Sequence, residues 1–75
     1  MSTNTLAAVT TGQKIQRYRE ALDLSIGALA RTVGVDRRQI QRWEHGENEP
    51  RPESLRRLGA ELHVHWTELA DDPDA

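Results

Sequence analysis

Gly34 is the residue that most restricts the architectures open to this chain. It follows the apolar-rich stretch Leu29-Ala30-Arg31-Thr32-Val33 and precedes Val35-Asp36, after which Ile40 and Trp43 recur at helical spacing. A glycine in that position ends a helix in the left-handed backbone region, and Asp36 is a natural N-cap for the next helix. Two helices joined so tightly cross at about 90–120°, and the crossing needs a small side chain where they touch. Ala30, four residues before Gly34, meets that need. Leu29, Val33, Val35, Ile40 and Trp43 supply the apolar plug between the two helices, and Ser25 caps the first of them.

The remaining pattern extends this pair into a set of short helices. Apolar spacing and capping residues predict helices over 13–22, 26–32, 37–45, a fourth opening at Pro52, and a fifth over 66–70. Ile15, Tyr18 and Leu22 form the stripe of the first, and Leu55, Leu58 and Leu62 that of the fourth. The second should bury Ile26, Leu29, Ala30 and Val33. Alternating β-branched residues are nowhere sustained, so the expected fold class is all-α, a compact five-helix bundle. One domain over 12–70 is expected, between a disordered arm over 1–11 and an acidic disordered tail over 71–75.

At 75 residues such a chain buries only about 60% of its unfolded surface, so its stability is expected to be modest. The sequence contains no cysteine, which removes disulfides, thiolate metal sites and cysteine nucleophiles together. No apolar run approaches the ~20 residues of a bilayer span, and the first residues lack the charge pattern of a signal peptide. A cytoplasmic protein without a membrane partner is the expectation.

The formal net charge is −2, but the charge is unevenly spread. Residues 13–42 hold seven basic side chains against three acids, or +4; residues 43–75 hold three against nine, or −6. Such a dipolar chain can present a basic face and still be acidic as a whole. The helix predicted over 37–45 concentrates that basic charge. At about 100° per residue from Arg37, Gln41 falls near 40°, Arg38 near 100° and Arg42 near 140°. Gln39, Trp43 and Ile40 fall on the other side. Three arginines and a glutamine thus project from one face of an anchored helix, the side chains that most often read guanine and adenine edges in the major groove. A solvated charged face is the plain alternative, and the Ala30/Gly34 geometry argues against it.

Residues 12–70 resemble the Cro/C1-type helix-turn-helix proteins, also called the XRE family. The matching residues are Gly12-Gln-Lys-Ile-Gln-Arg-Tyr-Arg-Glu, Leu24-Ser25, Leu29-Ala30-Arg-Thr-Val33-Gly34-Val35, Ile40-Gln-Arg-Trp43-Glu44-His-Gly46, Pro50, Leu55 and Leu62. The resemblance implies a lambda-repressor-like fold and a cytoplasmic, nucleoid-associated transcriptional regulator from a bacterium or phage. A repressor that binds double-stranded DNA as a homodimer is the form it suggests. It assigns base reading to Arg37, Arg38, Gln41 and Arg42, and an internal ion pair to Arg19 and Glu44. The glutamine usual after Ser25 is here Ile26, which leaves the backbone N–H groups of that helix for a phosphate. Lys14, Arg17, Ser25, His45, Asn48 and Arg51 are the candidate phosphate contacts. Trp66 and Leu69, with no evident use within one subunit, are expected to form the dimer interface.

Other chemistry finds little support. His63 and His65, with His45, lack carboxylate or thiolate company, so no metal site is expected. Ser25 is used as a cap, and Ser54 lacks a nucleophile-elbow motif. No glycine-rich phosphate loop exists. The expectation is therefore a protein that is not an enzyme and takes no cofactor. A rival from another class is a protein-interaction module, such as an antitoxin or adaptor, working through the acidic C-terminal half.

Overall fold

The computed structural model describes residues 10–70. Among them are four α-helices, α1 (Thr11–Ala21), α2 (Ile26–Val33), α3 (Arg37–Glu44) and α4 (Pro52–Leu62), and a single 3-10 turn, Trp66–Glu68. The fold is all-α as expected, but the fifth helix is reduced to that turn. Its closing bond runs from Leu69 N–H to the Trp66 carbonyl at 3.0 Å, an i→i+3 pattern that seldom extends further. The arm and tail expected over 1–11 and 71–75 lie outside the described residues, except for Thr10 and Thr11.

Those two threonines begin α1 two residues before its expected start. The Thr10 hydroxyl accepts from the Gln13 N–H at 3.2 Å, and Gln13 Oε1 accepts from the Thr10 N–H at 3.0 Å. Two orphan donors are thereby satisfied by one Thr-x-x-Gln box. At the other end Leu22 is the C-cap rather than a helical residue. It is 40% exposed, so the expected Ile15–Tyr18–Leu22 stripe loses its last member.

The turn between α2 and α3 follows from local chemistry. Ser25 Oγ accepts from the Ala28 N–H at 3.0 Å. Gly34 takes φ 87°, and the N–H groups of Gly34 and Val35 both donate to the Ala30 carbonyl, at 2.8 and 3.0 Å. Asp36 Oδ1 then accepts from the Arg38 N–H at 3.2 Å, opening α3. A distant residue adds a further restraint: Arg57 Nη1 donates to the Val33 carbonyl at 3.4 Å.

α3 packs against both α1 and α2, and α4 against α2 and the 3-10 turn. Ile15, Leu29, Val33, Ile40, Leu58, Leu62 and Leu69 are the side chains fully buried between them. Leu69 was expected at a dimer interface and is instead 0% exposed within one chain. The 3-10 turn folds back on α4 and drives it inward. Gly59 makes this approach possible, since a Cβ there would lie 2.8 Å from the Val64 carbonyl oxygen. Ile26, expected in the core, is half-buried.

Candidate nucleic-acid interface

Burial divides α3 into two faces. Ile40 is 0% and Trp43 3% exposed, while Arg37, Arg38, Gln41 and Arg42 are all exposed. Among the described residues the Trp43 indole N–H has no acceptor, so apolar packing holds that side chain, at the cost of a buried unpaired donor. The four polar residues expected on one arc therefore do share the outward face of the helix.

The end of α3 is fixed by a buried ion pair. Arg19 Nε donates to Glu44 Oε2 at 2.7 Å and Nη2 to Oε1 at 3.2 Å. Its Nη1 donates to the Leu24 carbonyl at 2.9 Å, so one guanidinium ties α1, the α1–α2 turn and α3. The Glu44 hydrogen bond holds the Arg19 guanidinium above its ordinary pKa, outweighing the opposing effect of burial. A raised pKa gives stability that is present below the ordinary arginine value and lost only at still higher pH, so the Arg19 charge is constant through neutral pH.

Two open grooves flank the outward face. The first, of about 670 Å³, is lined by Ser25, Ile26, Gly27, Ala28 and Arg31 of α2 and its cap, by Arg37 and Gln41 of α3, and by Arg19. The structure thus brings the candidates Ser25, Arg37 and Gln41 together and adds Gly27 and Arg31, which the sequence reading did not single out. Their shared i, i+4 spacing on α2 was the available signal. The Ser25 hydroxyl oxygen serves as the α2 cap, and its O–H proton stays available to a ligand. The second groove, of about 480 Å³, brings Asn48 and Arg51 together with Gln39, Ser54 and the carboxylate of Glu49. That acid works against a phosphate there.

Lys14 Nζ donates to the Ala70 carbonyl at 3.1 Å, so one of its three donors ties the end of the described chain to α1. Arg17 and His45 are exposed and line neither groove. Trp66 is half-buried, stacked on His65 at 6.0 Å between ring centres, with the Arg56 guanidinium 5.7 Å from its own ring centre. Among the described residues no group of His, Asp and Glu is arranged to hold a metal ion, and no helix is long and apolar enough to cross a membrane.

A small-residue hinge between two capped helices, the second with its apolar side buried and its arginines outside, defines a helix-turn-helix protein. The helix-turn-helix family profile matches residues 15–69, and the chain belongs to that family, in its Cro/C1 (XRE) branch. Solved structures agree. The phage P22 c2 repressor, in complex with a synthetic operator, superposes with TM-score 0.81 at 31% identity, over 85% of this chain and 97% of that one. SinR, from Bacillus subtilis, in complex with DNA gives 0.77 at 28% identity, over 83% and 100%. SinR in complex with SinI is also similar, this chain covering 62% of that one. The restriction-modification controller protein C.AhdI from Aeromonas hydrophila gives 0.75 at 29% identity, over 79% and 89%. No curated protein sequence matches.

Proposed function

We infer that this helix-turn-helix protein is a sequence-specific DNA-binding transcriptional regulator, a repressor in type, that lays α3 in the major groove. The observation that carries the reading is the exposed arc of Arg37, Arg38, Gln41 and Arg42 opposite buried Ile40 and Trp43. Arginine and glutamine present the donor pairs that guanine and adenine edges accept. The similarity to P22 c2 and SinR, both solved on DNA, supports it. No catalytic step belongs to this reading. An adaptor-like role is not favoured by the family, and the SinR–SinI complex suggests a protein partner as an addition to DNA binding.

Base reading is tested at Arg38. Arg38→Ala should cost about 1–3 kcal/mol on a preferred duplex selected from a random pool and relax the preference at one base pair. Arg38→Lys should recover only part, because an ammonium lacks the planar two-donor fork. Neutralising six phosphates would give a log–log salt slope of about −5. No binding to any duplex at micromolar protein and low salt would remove the reading.

The homodimer is part of the same proposal. With Leu69 buried, Trp66 under Arg56 is the aromatic surface left on the C-terminal side. An isologous pair meeting there would present two α3 helices about 34 Å apart to an inverted repeat. Sedimentation should give two chains per duplex; one chain, both free and on DNA, would exclude the dimer.

A further inference from the structure

We propose that Arg37 clamps the DNA backbone, leaving base reading to Arg38 and Arg42. The proposal rests on α3 as the recognition helix and divides its outward face in two. Arg37 is the first residue of α3, and its stem lies against α2: a Cβ on Gly27 would be 3.4 Å from Arg37 Cδ. Arg37 and Gln41 of α3 line the same groove as Arg31 of α2, whereas Arg38 and Arg42 do not line it.

Among the described residues no carboxylate lines that groove. Arg19 is the one arginine there that is committed, to Glu44; among the described residues neither Arg31 nor Arg37 is in an ion pair. Two exposed, uncompensated guanidinium groups on an acid-free groove suit a polyanion. In a helix-turn-helix complex the first helix of the pair crosses the phosphate backbone while the second enters the groove. An arginine leaning on α2 is therefore directed at the strand that α2 crosses, and Arg31 meets the same strand from the other side.

The test compares a selected duplex with a scrambled one of equal length. Arg37→Ala should weaken both by the same factor, about tenfold at low salt, and make each salt slope shallower by about 0.9. Arg37→Lys should restore most of the loss on both, since sequence-independent binding follows the number of phosphates neutralised and lysine keeps the charge. Arg31→Ala should repeat the Arg37→Ala pattern. The proposal is overturned if Arg37→Ala leaves binding to both duplexes unchanged. It is equally overturned if the specific-to-scrambled ratio falls and lysine does not rescue it, for Arg37 would then read a base. Should Arg38→Ala and Arg42→Ala also leave the ratio unchanged, α3 is not the recognition helix, and the underlying reading fails with the proposal.

Discussion

Gly12→Ala should cost about 3 kcal/mol or more and leave the chain largely unfolded at moderate temperature. Gly12 is buried in the first turn of α1. A Cβ there would lie 2.0 Å from the Trp43 carbonyl oxygen and 2.8 Å from that of Glu44. Carbon and carbonyl oxygen approach no closer than about 3.3 Å, so α1 and α3 would have to part by roughly 1 Å. The opposing atoms are backbone and cannot rotate away. Overpacking usually costs about 1–3 kcal/mol, and this case belongs at the top of that range. A chain of this length has roughly 4–11 kcal/mol in total. Urea denaturation followed by circular dichroism measures it, with Gly46→Ala as the control. Gly46 has φ 77° but open space around its Cβ position, so its loss should stay near 1–2 kcal/mol. Equal losses at the two sites would mean that the close approach of α1 to α3 is not what requires a glycine.

Glu44→Ala should destabilise the fold by about 3–5 kcal/mol, because it leaves the Arg19 guanidinium buried without its anion. The side chains of Arg19 and Glu44 are only 11% and 4% exposed, so water restores little. Glu44→Gln keeps the shape and one acceptor, and should fall between. The double variant Arg19→Met with Glu44→Leu removes both charges. It should recover most of the loss or exceed the native stability, as replaced buried ion pairs often do. A double variant no better than Glu44→Ala would place the cost in lost packing instead. Thermal melts of the four proteins decide this. The Arg19 bond to the Leu24 carbonyl is lost in the double variant too, so the α1–α2 turn should become its weakest point.

The hinge was legible because its signals are local. Ser25, Ala30, Gly34 and Asp36 act on backbone groups no more than five residues away. The outward arc was legible for the same reason, since 3.6 residues per turn sets it once Ile40 and Trp43 are buried. The Arg19–Glu44 pair came from the resemblance, its members lying 25 positions apart. Gly12 was visible as a family match, yet nothing local says that a carbonyl occupies its Cβ position.

By itself, then, the sequence determined an all-helical chain, a glycine hinge between two capped helices, and one arginine-rich face on the second. Hydrogen bonds closed within a turn and apolar periodicity are short-range properties, and they are written in adjacent residues. Only the tertiary structure decided that Leu69 belongs to the core, that Lys14 is tied to Ala70 and that Arg37 leans on Gly27. Each of those outcomes depends on a backbone or side chain brought from another element. A lysine free in sequence becomes a tether because α1 and the C-terminal turn meet, and an arginine's stem lies beside a glycine of the neighbouring helix.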